Sequence, residues 1–191
     1  IISRGTNGET SVFPVAENVH KENILHQTIV PARISMKAEA KAIEAAKQIA
    51  SALGLVGTLA VEMFLAEKDE LYINELAPRP HNSGHYSIEA CETSQFEQHI
   101  RAVCGWPLGS TNLLKPAVMV NILGEHQQPL LDRIPELQDW KIHLYGKKEA
   151  KYKRKMGHVT LLRDTVEIAL DEAERSGIWD GAAEMIGGQK R

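Results

Sequence analysis

Two acidic residues, Glu62 and Glu75, interrupt two apolar stretches, residues 55–66 and 71–77, that read as the arms of one β-hairpin around the polar segment 67–70. Strand alternation sets Val56, Thr58, Ala60, Glu62 and Phe64 on one face, and Leu71, Ile73, Glu75 and Ala77 on one face of the return arm. With Glu67 paired to Glu70 across a Lys68-Asp69 turn, Glu62 stands directly opposite Glu75. Opposed residues hold their Cβ atoms about 5 Å apart, where like charges repel. Carboxylates among apolar neighbours also lose hydration that nothing returns. A hard divalent cation relieves both penalties, and magnesium suits: it takes one or two carboxylates and completes its shell with water and phosphate oxygens. The spacing leaves a second arrangement open, with Glu62 facing solvent at a sheet edge and Glu75 paired to Arg79.

After the first residues of the return arm the chain reads Asn74-Glu75-Leu76-Ala77-Pro78-Arg79-Pro80-His81-Asn82-Ser83-Gly84-His85. An amide, an acid, a guanidinium and two imidazoles share one loop stiffened by two prolines, and the proline after Arg79 disfavours helix there. Stiff, donor-rich loops suit recognition of an anionic substrate. Each residue also has a plainer role: Asn82 and Ser83 as turn formers, His81 and His85 as solvated loop side chains, Arg79 as a surface charge.

Residues 74–85, continued by Tyr86-Ser87-Ile88-Glu89-Ala90-Cys91 and Thr93-Ser94-Gln95-Phe96-Glu97-Gln98-His99, resemble the N5-carboxyaminoimidazole ribonucleotide synthase family of ATP-grasp ligases. The likeness continues through Arg101-Ala102-Val103-Cys104-Gly105, residues 116–124 and Arg154-Lys155-Met156-Gly157-His158, so it covers essentially the whole chain. The resemblance implies an α+β fold. Residues 1–108 would be the C-terminal half of an ATP-grasp domain, an antiparallel sheet with packed helices, and residues 109–191 a small β-rich C-terminal subdomain. It also implies ATP-dependent carboxylation of 5-aminoimidazole ribonucleotide by bicarbonate, through carboxyphosphate, in purine biosynthesis, with ATP and Mg2+ required.

Carried over residue by residue, the family pattern makes Glu62 and Glu75 the magnesium ligands and places His20 and Asn74 with Glu75 in the nucleotide site. It lines the reacting region with Arg79, His81 and Asn82. It gives the ribonucleotide phosphate to Lys147, Arg154 and Lys155, a run that otherwise reads as a solvated basic turn. A homodimer is implied as well. Two other readings stay open. One is another purine-pathway ATP-grasp ligase, which should differ at His81-Asn82-Ser83-Gly84-His85; the other is a non-catalytic binding module that kept the fold, against which the retained acid pair counts. The chain opens in mid-strand at Ile1-Ile2-Ser3-Arg4 without an initiator Met, and reads as a fragment that lacks ligase activity alone and binds ATP weakly at best.

The elements that must position these residues are legible in outline. Strands are expected at residues 1–4, 11–15 and 27–34, the last limited at Pro31, with a polar loop over 16–25. Residues 37–53 read as a helix, since Ala42, Ala46, Ile49 and Leu53 recur at helical spacing, Ser35 caps the start and Gly54 ends it. A second helix is expected at 94–104, with an extra turn near Ile88, and a subdomain boundary at the Gly- and Pro-rich stretch 105–109. Beyond it come strands at 117–123, 141–145 and 158–162, a short helical piece at 134–138, a helix at 165–175 and a frayed tail after Gly187.

The 191 residues are 43% hydrophobic with 5% aromatic content, enough for one core or a core with a small annex. A net charge of −3 argues against a dedicated nucleic-acid binder. Cys91 and Cys104 are too few for a disulfide framework and read as buried, inert thiols. With no apolar run of membrane-spanning length, neither a membrane nor a nucleic acid is an expected partner, and the cytoplasm is the expected compartment.

Overall fold

The computed structural model describes residues 1–180. In chain order the strands and helices are β1 (Ile2–Arg4), β2 (Thr10–Val12), β3 (Glu17–Lys21), β4 (Ile24–Val30), α1 (Met36–Ala52), β5 (Gly57–Leu65), β6 (Leu71–Ala77), α2 (Ser87–Ala90) and α3 (Gln95–Val103). They are followed by β7 (Ala117–Leu123), α4 (Gly124–Arg133), β8 (Lys141–Leu144), β9 (Lys155–Leu162) and α5 (Val166–Arg175). The frayed tail expected after Gly187 lies outside the described residues.

The chain divides into two compact units, one of residues 1–17 and 29–115, the other of residues 18–28 and 116 onward. The sequence boundary placed after Leu108 falls inside the first unit, and the division comes between Lys115 and Pro116. Segment 18–28, taken from sequence as mostly loop, belongs with the second unit.

The first unit is built on a four-stranded sheet of order β2-β1-β5-β6. Strand β1 runs antiparallel to both β2 and β5, and β5 antiparallel to β6. Ser35 caps α1, its hydroxyl accepting the Ala38 N–H at 3.0 Å. The buried stripe of α1 is Ala38, Ala42, Ala46 and Ala50, and Leu53, expected on that face, is the exposed cap residue. Ala46 and Ala50 pack with Ile2 and Leu59, where full burial of the Ile2 and Leu59 side chains contributes about 1.5–3 kcal/mol each.

The second unit holds a five-stranded sheet of order β3-β4-β7-β9-β8. Its centre is buried on both faces: every residue of β7 from Ala117 to Ile122 is buried, as are Met156 to Leu161 of β9, with Asn121, His158 and Thr160 the polar members. Two elements differ from the sequence reading. Residues 17–21 form a strand, joined to β4 by a two-residue turn at Glu22-Asn23 with both φ positive, 49° and 62°; this matches the turn type that suits a tight hairpin. Residues 124–133 form a helix that carries Pro129 in its interior, where the ring leaves the Glu125 carbonyl without its i+4 N–H donor.

Candidate functional site

The hairpin β5–β6 sets both acids. Its tip is the single turn Glu67–Asp69, with Lys68 and Asp69 at positive φ of 59° and 58°. The Glu70 N–H donates to the Glu67 carbonyl at 3.3 Å across this turn, but the Ala66 N–H donates to the Glu70 carbonyl at 2.8 Å, so the ladder above starts one residue out of that register, with Leu65 opposite Leu71. That difference of one residue would by itself slide Glu75 past Glu62. A β-bulge takes it back: Met63 pairs with Ile73, but Glu62 pairs with Glu75, leaving Asn74 as the extra residue. The two acids do stand opposite each other, by a turn and a bulge whose offsets cancel. The tip is anchored to the start of α1, the Ser35 hydroxyl donating to the Asp69 carboxylate and the Lys41 ammonium to the Asp69 carbonyl, both at 2.8 Å.

Glu62 is partly buried and faces His81, its Oε1 lying 3.7 Å from the imidazole Nδ1, whereas Glu75 and Asn74 are exposed. Arg79 is exposed and donates to the Pro80 carbonyl at 3.1 Å. Among the described residues no ion pair joins it to Glu75, so the alternative pairing open at the level of spacing is not adopted. No group of three or more His, Cys, Asp or Glu side chains converges among the described residues. The donor set is therefore two carboxylates. That is too few for a structural zinc or a calcium cage, and it fits magnesium, whose shell phosphate oxygens and water complete.

The loop after β6 is held from beneath by a residue that motif and spacing did not mark. Gln95, at the first turn of α3, is fully buried. Its amide oxygen accepts the His81 backbone N–H at 2.9 Å, and its amide nitrogen reaches the His81 carbonyl at 2.7 Å and the His85 Nδ1 at 2.9 Å. A Cβ on Gly84 would come within 2.4 Å of that oxygen and would displace the Gln95 amide from its hydrogen bonds. His81 also caps the single turn Asn82–Gly84, its Nδ1 lying 2.9 Å from the Ser83 hydroxyl. Arg79, His81 and Asn82 thus belong to the same unit as Glu62, Asn74 and Glu75.

His20 and the basic run belong to the second unit. His20 is exposed on β3. Lys147 donates to the Lys155 carbonyl at 2.6 Å and lies 5.5 Å from the centroid of the Tyr145 ring, while Arg154 is exposed and reaches the Glu149 carbonyl at 3.2 Å. The turn that carries them is pinned at Lys153. Its N–H donates to the Glu125 carboxylate at 2.8 Å, and its ammonium pairs with Glu22 at 2.9 Å, a hydrogen bond that raises the lysine pKa. A cavity of about 370 Å³ opens nearby, lined by His26, Leu123, His126, Tyr152 and Trp179 among others. Burial of His26 pushes its imidazole down to about 4, with Lys21 and then His126 adding to the effect.

Of the two thiols, Cys91 is buried and pushed up to about 12 by that burial, whereas Cys104 is exposed, contrary to expectation. No described helix is long and apolar enough to cross a membrane.

Two family models match successive stretches of the chain. Residues 1–96 match the family model for the ATP-grasp domain, and residues 117–172 that for the phosphoribosylaminoimidazole carboxylase C-terminal domain. The chain is 58% identical over 164 residues to N5-carboxyaminoimidazole ribonucleotide synthase of Bacillus subtilis, covering 85% of this chain and 43% of that one. A crystal structure of an ADP complex of N5-carboxyaminoimidazole ribonucleotide synthetase superposes with a TM-score of 0.92 at 62% identity, over 94% of this chain and 48% of that one. The Aspergillus clavatus synthase, solved with ADP and 5-aminoimidazole ribonucleotide, gives 0.88 at 34% identity, over 94% and 50%. The chain thus spans about half the length of the relatives it matches.

Proposed function

The chain belongs to the ATP-grasp family, and we propose that, within a longer parent, it serves the ATP-dependent carboxylation of 5-aminoimidazole ribonucleotide by bicarbonate to N5-carboxyaminoimidazole ribonucleotide. The observation that carries this reading is the opposed pair Glu62 and Glu75 at the bulge of the β5–β6 hairpin, with the donor-rich loop running directly on from it. Glu62 and Glu75 would hold magnesium, which when bound neutralises phosphate charge and orients the transferring phosphoryl group. His20 and Asn74, with Glu75, contact the nucleotide. Arg79 stabilises negative charge on the transferring group and on carboxyphosphate, and His81 and Asn82 orient bicarbonate and the attacking amine. Lys147, Arg154 and Lys155 take the ribonucleotide phosphate. A homodimer is the assembly proposed for the parent.

The test is Glu75→Gln in a full-length chain carrying this sequence. Carboxylation and ATP turnover should fall to background while the circular dichroism spectrum stays unchanged, because the amide removes the charge and the second carboxylate that would position the cation on the phosphates. Turnover that survives the change would remove Glu75 as a metal ligand.

A further inference from the structure

We propose that Gln95 is a positioning residue which sets the loop 81–85 and fixes His85 in the neutral tautomer that carries its proton on Nε2. The tautomer assignment stands on geometry alone; its kinetic consequence rests on the ligase reading above.

A fully buried primary amide must satisfy one acceptor oxygen and two N–H donors. The backbone of His81 decides which end of the Gln95 amide is which. The atom facing the His81 N–H at 2.9 Å has to be the oxygen, and the atom facing the His81 carbonyl at 2.7 Å has to be the nitrogen. That nitrogen also lies 2.9 Å from the His85 Nδ1 and has only hydrogens to offer, so Nδ1 accepts with its lone pair. An imidazole accepting at Nδ1 is neutral, with its proton on Nε2. His85 therefore presents a donor and cannot act as a general base, because its basic lone pair is already engaged.

Three further contacts make Gln95 a link between the loop and the strand of Glu62. Its backbone N–H donates to the Ser87 hydroxyl at 2.9 Å, and that hydroxyl donates to the Gly84 carbonyl at 2.6 Å. The hydroxyl of Thr58, on β5, reaches the Gln95 carbonyl at 3.5 Å. The His85 ring is held against Phe96, centroids 5.4 Å apart. One side chain thus holds the polypeptide that follows one acid, and its own backbone is tied to the strand carrying the other.

Gln95→Glu keeps the shape and reverses the chemistry: one oxygen still accepts the His81 N–H, but the other faces a carbonyl and Nδ1 with no hydrogen to give. The measurement is the long-range proton–nitrogen correlation of the histidine rings in the 191-residue chain, His85 being identified by its loss in His85→Asn. The wild-type ring should show its proton on Nε2 alone, and Gln95→Glu should place a proton on Nδ1. A wild-type proton on Nδ1 overturns the assignment even if the variant fails to fold, and so does a tautomer unchanged in a folded Gln95→Glu. In the full-length parent the same variant should lower kcat on the order of 100-fold, the cost of misplacing reactive groups by about 1 Å, with KM for ATP little changed. An unchanged kcat in a variant with the switched tautomer overturns the positioning role. A wild-type parent inactive on 5-aminoimidazole ribonucleotide removes the ligase reading and leaves the tautomer result standing.

Discussion

At His26 burial sets an acid limit for the second unit. The ring is nearly inaccessible and lies edge-on to Trp179, with centroids 6.4 Å apart, and its pKa falls from 6.5 to about 4 in the fold. Between those values the unfolded chain binds a proton that the folded one refuses, so stability is full above pH 6.5 and is lost as the pH falls toward 4. His126, lowered for the same first reason, acts in the same direction. For His26 the expected slope approaches ~1.4 kcal/mol for each pH unit of the window. Urea midpoints measured between pH 7 and pH 4.5 should show it, and His26→Gln should flatten the dependence. Nothing around His26 in the sequence signals this, because the burial depends on packing by distant parts of the chain, Trp179 among them. Gln95 escaped notice for a related reason: its partners His81 and His85 are visible as a motif, but a glutamine at a helix start reads as an ordinary surface residue until its burial is known. The two cysteines divide on the same ground, since local sequence gave Cys91 and Cys104 one reading and packing gave them two.

Among the elements, helix α4 and the basic turn depend on a close approach at Gly124. A Cβ there would come within 2.1 Å of the Lys151 backbone carbonyl oxygen, which no rotamer change relieves. Gly124→Ala should therefore displace the turn that presents Lys147, Arg154 and Lys155 and cost about 1–3 kcal/mol, as overpacking does. Faster hydrogen exchange at the Lys153 amide, which Glu125 now holds, would report the displacement. Elements with strong local signals were legible. Helices α1, α3 and α5 carry a Ser or Thr cap and helical spacing, and β6 and β7 match their apolar runs residue for residue. The misses have definite causes. Strand β3 is polar and turns at Glu22-Asn23, a pair that lacks the glycine of the strongest hairpin signals. Helix α4 hides behind Pro129, and the bulge at Asn74 has no marker in composition at all.

For the molecule as a whole, the chain matches only part of each relative. It covers 43–50% of the relatives it matches, and its candidate metal site offers two carboxylates, with no group of three or more His, Cys, Asp or Glu side chains among the described residues. The 191-residue chain by itself is expected to bind ATP weakly and to release no phosphate from it; calorimetry and a phosphate-release assay check both, and turnover by the chain alone would overturn the expectation. Comparison across longer relatives then acquires a specific rule from the hairpin. The turn at 67–69 and the extra residue Asn74 behave as two compensating frameshifts: each alone puts the downstream residues out of phase, and together they restore the reading of Glu62 against Glu75. An insertion or deletion tolerated at the tip of that hairpin should therefore be matched by the loss or relocation of the bulge.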